Sequence, residues 1–103
     1  MSDMSNNNNI PVNIKEQLEK IKPFLAKKYK VKEIGYFGSF ASGNYSDSSD
    51  VDILIELDEP LGWEFFDLKN FLETHLKRPV DLVTRNALKK QLKEKILKQT
   101  IFV

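Results

Sequence analysis

Hydrophobic residues recur along the chain with two different periods, and each period predicts a type of element. Over residues 14–29 they return every three or four positions, the spacing of a helix with one buried face. Asn13 can cap the start of this helix, whereas Pro23 removes a backbone hydrogen bond and predicts either a kink or two shorter helices. The same spacing appears over residues 63–76 and 86–99, so at least three helical segments are expected.

Three apolar runs lie between these helices and predict strands. The run "KEIGYFGS", residues 32–39, predicts a strand that enters a turn. The run "VDILIEL", residues 51–57, is β-branched and aliphatic, as in a strand buried on both faces. The run "RPVDLVT", residues 78–84, predicts a third strand, and the final "TIFV" either adds a short strand or docks on the core. We therefore expect an α/β (α+β) fold with a small mixed β-sheet flanked by helices.

The composition narrows the class of protein. A length of 103 residues argues for one domain, and the absence of cysteine excludes disulfides and thiolate metal sites. A net charge of +1 gives no strong overall preference for nucleic acid or membrane, and no apolar run approaches the ~20 residues that span a bilayer. The N-terminus lacks the basic and apolar regions of a signal peptide. We expect a cytoplasmic protein, with a disordered tail over residues 1–12 and a folded domain over residues 13–103.

Two carboxylates stand at the start of the second predicted strand. Asp50 and Asp52 are two residues apart, so their side chains project to the same face. Such a pair repels and is ordinarily exposed, matched by an arginine or bound to a hard cation. Asp81 interrupts the third strand and can join the pair if the two strands are neighbours. Magnesium prefers carboxylate oxygens, and three carboxylates are enough to hold two metal ions for displacement at phosphorus, although a lone D-x-D is a weak signal.

A glycine and a serine mark the turn after the first strand. Gly38 lets a ligand approach the backbone closely, and the Ser39 hydroxyl can donate to a phosphate oxygen. The segment that follows, residues 39–42, can begin a helix whose free N–H groups favour an anion. Taken alone, the same residues are better explained by a plain turn in which Ser39 caps the helix.

The combination of these features is more specific than any one of them. Gly-Ser, ten intervening residues and D-x-D, followed by an aliphatic strand and a later strand acid, resemble the nucleotidyltransferase superfamily related to DNA polymerase beta. The stretch "FGSFASGNYSDSSDVDILIEL", with "RPVDLVT" as the third-carboxylate strand, is most similar to the minimal nucleotidyltransferases, the MNT proteins. The resemblance extends more loosely over residues 14–103. It implies the fold expected above and a nucleotide site within it.

The resemblance also implies roles for five residues. Gly38 and Ser39 would bind the phosphates of the nucleotide. Asp50 and Asp52 would bind Mg²⁺, and Asp81 would ligate metal or deprotonate the acceptor hydroxyl. The implied reaction moves AMP from ATP to an acceptor and releases pyrophosphate, which is mainly a matter of positioning and charge neutralisation.

The same resemblance suggests who accepts the nucleotide. MNT proteins resemble antitoxins encoded beside HEPN-domain RNase toxins, and the implied acceptor is a tyrosine of the toxin. The chain has little length for an acceptor-binding domain of its own, and we expect no membrane contact and no direct binding of nucleic acid. Two alternatives stay open, a non-catalytic antitoxin that acts by contact alone and a free-standing nucleotidyltransferase for a small molecule or an RNA end. Ser42 stands where relatives often have arginine, which questions catalytic efficiency more than the fold.

Other side chains leave choices open. Trp63, Phe65 and Phe66 form either an exposed patch for a partner or a group in which only Phe65 packs inward. His75 lies near a helix end, where a surface position is expected. The charge is uneven, with nine acids and one lysine in residues 44–76, and a solvated face is the simpler explanation from charge alone. Basic side chains that could instead reach a triphosphate or an acidic partner are Arg78, Lys89, Lys93 and Lys95.

Overall fold

The computed structural model describes residues 13–103, so the predicted tail over residues 1–12 lies outside the described residues. None of the helices in the described part is long and apolar enough to cross a membrane. The elements follow the predicted order, with a short helix after the first strand and a fourth strand at the end. They are α1 (Ile14–Tyr29), β1 (Val31–Phe37), α2 (Ser39–Ser42), β2 (Val51–Leu57), α3 (Glu64–Leu76), β3 (Val80–Thr84), a 3-10 turn (Arg85–Ala87), α4 (Lys90–Gln99) and β4 (Ile101–Phe102).

The four strands form one mixed sheet in the order β3-β2-β1-β4. Strand β1 is antiparallel to both of its neighbours, whereas β2 and β3 are parallel. The predicted small mixed sheet flanked by helices is therefore confirmed. The neighbouring positions of β2 and β3, which the sequence reasoning had to assume, are also confirmed.

The hydrophobic core separates the two faces of the sheet. Val51, Ile53 and Ile55 are fully buried in one cluster with the apolar stripes of α1 and α3. Side chains alternate along a strand, so the intervening residues of β2 point to the opposite face. Asp52 is one of them, and the face without the two long helices is therefore the face that carries the candidate chemistry.

Helix α1 is continuous through Pro23, so the alternative of two short helices is wrong. Pro23 itself is exposed, whereas the apolar stripe of this helix is buried in the core. Its buried residues are Ile14, Leu18, Ile21, Leu25 and Tyr29. Packing of this stripe outweighs the one hydrogen bond that the proline removes. The start of the helix is capped as predicted, because the Asn13 side chain accepts a 3.1 Å hydrogen bond from the Glu16 N–H.

The C-terminal residues form β4 beside β1, which decides between the two alternatives for "TIFV". Their approach depends on Gly35, because a Cβ there would lie 2.6 Å from Thr100 Cγ2 and 2.8 Å from the Ile101 carbonyl oxygen. The Val103 N–H then donates to the Ile34 carbonyl at 3.1 Å, and Lys22 Nζ donates to the Val103 carbonyl at 2.6 Å. The segment that follows α4 is thus fixed to the sheet by backbone hydrogen bonds.

Replacing Tyr29 by Phe should weaken the junction between α1 and α3. The buried Tyr29 hydroxyl donates a 2.6 Å hydrogen bond to Asp67, and a bond to a charged group is worth about 1.5–3 kcal/mol. Burial, followed by the hydrogen bond and charge of Asp67, raises the pKa of Tyr29 from 10.0 to about 12. The free energy of unfolding of the native protein should therefore fall as pH rises from 10 to 12, relative to the Phe variant. Urea unfolding of both proteins across this range measures the difference, and parallel pH profiles would contradict it.

Candidate active site

The pairing of β2 with β3 brings two of the predicted carboxylates together. Asp52 and Asp81 are register partners on adjacent parallel strands, so their side chains leave the same face at the same level. Asp50 lies just before β2, two residues from Asp52. Asp52 is half-buried, whereas Asp50 and Asp81 are exposed. The three acids therefore line one open edge of the sheet, with Asp52 at the centre.

Gly38 lies directly against Asp52. Its backbone has φ 69° and ψ −143°, a conformation that residues other than glycine rarely adopt. A Cβ at this position would overlap Oδ2 of Asp52. The pairing of β1 with β2 creates this contact, because Phe37, the residue before Gly38, is the register partner of Asp52. The Gly-Ser turn and the D-x-D segment, ten residues apart in the sequence, thus meet at one point.

Helix α2 begins at Ser39, as the sequence indicated. The Gly38 carbonyl accepts from the N–H groups of Ala41 and Ser42 at 3.1 and 3.0 Å, so the turn is closed by its own backbone. The first N–H groups of any helix have no partner within the helix and are available to a ligand. Half-buried Ser39 adds a hydroxyl beside them. Groups that can bind an anion therefore lie next to the carboxylates.

The carboxylates disturb one another electrostatically. The pKa of Asp52 is raised above its ordinary value, first by burial and then by the negative charges of Asp81 and Asp50. A proton on Asp52 can also be shared with Asp81, which raises the pKa further. A cation placed among these oxygens would remove the repulsion that causes most of the remaining shift. Repulsion among the three carboxylates therefore costs free energy, and a bound cation would lower that cost.

The donor set fits magnesium in its chemistry. Hard carboxylate oxygens are the ligands that Mg²⁺ prefers, and one or two of them normally suffice when phosphate oxygens complete the shell. Over residues 13–103, no group of three His, Cys, Asp or Glu side chains is assembled in a geometry that could hold a metal ion by itself. The structure thus offers a close pair, Asp52 and Asp81, with Asp50 beside it. The metal roles of all three stay a prediction.

Arg78 has a structural role that the sequence reasoning missed. Its Nη1 donates to the carbonyl oxygens of Ser46, Asp47 and Ser49 at 3.1, 3.0 and 3.4 Å. Its guanidinium also lies 5.0 Å from the ring centroid of Phe40, in α2. Arg78 therefore ties the loop before Asp50 to the helix that follows Gly38. Arg78 lies two residues before β3 in the sequence, and that position does not indicate these partners. They lie about thirty positions away in the chain.

The Arg78→Ala variant should retain the fold and lose much of the positioning of this loop. The loss of three partly exposed hydrogen bonds should cost about 1–3 kcal/mol of unfolding free energy. Misplacement of Asp50 should lower kcat of the nucleotide transfer implied by the resemblance on the order of 10–100-fold. Arg78→Lys should restore only part of the rate, because the lysine ammonium group has no planar guanidinium to stack on the Phe40 ring. Steady-state kinetics test this, with Lys98→Ala as a control for charge, and a full-rate Arg78→Ala variant would contradict it.

The structure also places the remaining charged, polar and aromatic residues that the sequence singled out. His75 is exposed and stacks on Phe71, with ring centroids 5.8 Å apart, so its predicted surface position is confirmed. Trp63 and Phe66 are 74% and 69% exposed, whereas Phe65 packs against the core. Ser42 is exposed, and its Oγ donates to the Ser39 carbonyl at 3.3 Å, within the helix. Lys93 and Lys95 lie in α4 and Lys89 directly precedes it, and their contact with a triphosphate or an acidic partner stays a prediction.

A family model for the nucleotidyltransferase domain matches residues 18–103, which include both β1–α2–β2 and β3. The chain belongs to the nucleotidyltransferase family. This nucleotidyltransferase is similar to a protein of Methanocaldococcus jannaschii assigned as a protein adenylyltransferase, with 46% identity over 76 residues, or 73% of this chain and 88% of the relative. It is also 37% identical to the protein adenylyltransferase MntA of Thermococcus cleftensis, over 85% of this chain and 94% of the relative. The chain is therefore a transferase enzyme of the minimal, MNT, group.

Solved structures agree with this assignment. A solved structure assigned as a minimal nucleotidyltransferase superimposes on this chain with a TM-score of 0.75 and 28% sequence identity. The match covers 85% of this chain and 90% of the other. A toxin–antitoxin protein crystallised with AMP-PNP gives a TM-score of 0.70 at 27% identity, covering 82% of this chain and 69% of that one. The fold of this nucleotidyltransferase is thus the minimal nucleotidyltransferase fold, and its relatives include proteins of toxin–antitoxin pairs.

Proposed function

We propose that this nucleotidyltransferase is an antitoxin that transfers AMP from ATP to a tyrosine hydroxyl of a HEPN-domain RNase toxin. The observation that carries the proposal is the contact of Gly38 with Asp52, beside Asp81. It supports a single site in which a phosphate group and a charged metal can be held together. The adenylyltransferase relatives support AMP as the transferred group, and the toxin–antitoxin relative with AMP-PNP supports ATP as its source.

In this reaction the residues divide the work of positioning. The Gly38–Ser39 turn binds triphosphate oxygens through backbone N–H groups and the serine hydroxyl. Asp50 and Asp52 would hold Mg²⁺, which would supply positive charge to neutralise the phosphates. Asp81 is exposed and lies beside Asp52, where it can accept a proton from the incoming hydroxyl.

The covalent step balances without a further reactant. The tyrosine oxygen bonds to the α-phosphorus while the bond from that phosphorus to the bridging oxygen breaks. Pyrophosphate leaves with the electron pair, and the phenolic proton passes to Asp81. Phosphate transfer of this kind depends mainly on alignment and charge neutralisation, which is what the side chains at this edge can provide. Because the reaction consumes ATP, we propose the cytoplasm as its location.

Two labelled forms of ATP test the reaction. The purified protein is incubated with Mg²⁺, a purified HEPN-domain protein and ATP labelled at either the α- or the γ-phosphate. We expect α-label on the HEPN-domain protein and none from γ-labelled ATP, because the bond broken lies between the α- and β-phosphates. Transfer of γ-label would identify a kinase. Absence of label from either position would contradict the proposed activity.

A second candidate is an antitoxin that acts by contact alone. Position 42 favours this candidate, because it holds a serine where relatives often have arginine. The Ser42 hydroxyl donates within its own helix. The two functions differ in the effect of Asp52→Asn on neutralisation of the RNase in the presence of ATP. Catalytic neutralisation is lost in this variant. Contact neutralisation survives it and does not need ATP.

A further inference from the structure

An apolar cavity lies at the opposite end of β2 and β3 from the carboxylates, and its wall includes Glu56 and Val83 from the face that carries them. It encloses about 530 Å³ beside the C-terminal ends of β2 and β3. Its wall is formed by the loop before α3, by the first turn of that helix and by the 3-10 turn. The apolar side chains that line it include Leu57, Leu61, Phe65, Leu82 and Leu88. None of the residues given a role in the proposed reaction lies in this cavity.

Two exposed aromatic side chains lie close in the chain to Phe65, a residue of the cavity wall. Trp63 is 74% exposed and Phe66 is 69% exposed, the two largest exposures among the large apolar residues described. Phe66 packs edge-on against Phe65, which lines the cavity, with ring centroids 5.9 Å apart. Each such side chain presents on the order of 150–250 Å², and Trp is enriched where a partner binds. We call the cavity together with Trp63 and Phe66 the aromatic–cavity surface.

The charge around this surface is predominantly negative. Residues 56–67 contain five acids and no lysine or arginine. Glu56 pairs with Arg85 at 3.2 Å, and this is the one ion pair found within residues 13–103. Asp58 and Glu59 are exposed at the rim and have no such partner in that part of the chain. An occupant should therefore be apolar at its centre and basic at its edges.

The distance to the carboxylates suits a protein acceptor. Glu56, at the cavity, follows Asp52 by four residues on the same face of β2. At about 3.3 Å per residue, the separation is roughly 13 Å. A segment anchored in the cavity can span this length with four extended residues or about two and a half helical turns. Its tyrosine would then meet the edge that carries Asp81.

We propose that the aromatic–cavity surface is the docking site for the acceptor protein. An apolar side chain of the acceptor fills the cavity, lysine or arginine residues beside it face Asp58 and Glu59, and Trp63 and Phe66 cover the junction. This inference rests on the proposed function, because it names how the acceptor of that reaction is held. It concerns residues with no part in nucleotide binding, so it can fail independently.

Kinetics separate docking from chemistry. Phe66→Ser and Trp63→Ser should each raise KM for a purified HEPN-domain acceptor on the order of 10-fold and leave KM for ATP unchanged. Asp58→Lys should raise the same KM and weaken its dependence on salt. Leu92→Ser is the matched control, because Leu92 is a 50% exposed apolar residue of α4 outside this surface. Transfer with an unchanged KM in all three surface variants would overturn the proposal.

A spectroscopic measurement reads docking without catalysis. Trp63 is the one tryptophan in the chain, so 5-fluorotryptophan labelling gives a single ¹⁹F resonance. Adding the acceptor should shift it, equally in the native protein and in Asp52→Asn. A shift without AMP transfer would support the docking site and contradict the proposed function. No shift despite transfer would overturn the docking site alone. A shift that depends on the protein's own concentration would assign the surface to a second copy and also overturn it.

Discussion

Asp52→Asn should lower the rate of AMP transfer on the order of 100–1,000-fold or more. Asp52 is the acid in contact with Gly38 and the register partner of Asp81, so its charge acts at the centre of the proposed site. Loss of one preorganised electrostatic group in an active site commonly has an effect of this size. Asp47→Asn is the matched control, since Asp47 is an exposed acid of the loop before β2. Equal rates in the two variants would contradict the assigned role of Asp52.

The same change should preserve or increase stability in the absence of metal. Burial and the neighbouring acids raise the pKa of Asp52 in the folded state, so folding favours its protonated form. The stability that this provides is present below the ordinary pKa of 3.8 and is lost as pH rises through the raised value. The asparagine side chain of the variant would stay neutral, so the metal-free variant should not show this loss. Urea unfolding in chelator, from acid to neutral pH, compares the two proteins, and a variant that is less stable at neutral pH would contradict the electrostatic account.

Gly38→Ala should damage both the fold and the activity. The φ of 69° with ψ −143° costs a residue other than glycine about 1–3 kcal/mol, and the added Cβ would overlap the Asp52 carboxylate. Displacement of that carboxylate should lower transfer on the order of 100-fold. The loss should appear in kcat and in KM for ATP, because the same residue forms the phosphate-binding turn. Steady-state kinetics and thermal unfolding of the variant measure the two effects.

Gly43→Ala separates backbone strain from the contact with the carboxylate. Gly43 also has a positive φ, 87°, but a Cβ there would meet no atom within 4 Å. Its replacement should cost only the strain of about 1–2 kcal/mol and leave kcat unchanged. If both variants lost activity equally, the contact between Gly38 and Asp52 would not be the cause.

Much of this fold could be predicted because its periodic elements have buried faces. The stripe of α1 and the aliphatic run of β2 each indicated their element, and both lie in the core. Parts of the proposed site were predicted separately. The signal was a group of carboxylates whose mutual repulsion costs free energy unless a positive ligand binds. Asp81 could be joined to Asp52 only by assuming that β2 and β3 are neighbours, which is a property of the sheet and not of either segment.

The features that could not be predicted depend on contacts between distant segments. Arg78 gave no sign that it holds the loop carbonyls, since its partners lie about thirty positions earlier in the chain. The overlap that a Cβ at Gly38 would have with Asp52 follows from the register of β1 with β2. Pro23 indicated an interruption that packing of α1 on the sheet overrides. In each case tertiary packing decides what local pattern leaves open.

The measurement that tests the central claim most directly is the intact mass of a purified HEPN-domain protein after incubation with this protein, ATP and Mg²⁺. The account predicts a mass increase equal to one or more AMP groups, mapped by peptide sequencing to tyrosine. The increase should be present with the native protein and Asp47→Asn and absent with Asp52→Asn. An unchanged mass, with the RNase still neutralised by both the native protein and Asp52→Asn, would contradict it and assign neutralisation to binding alone.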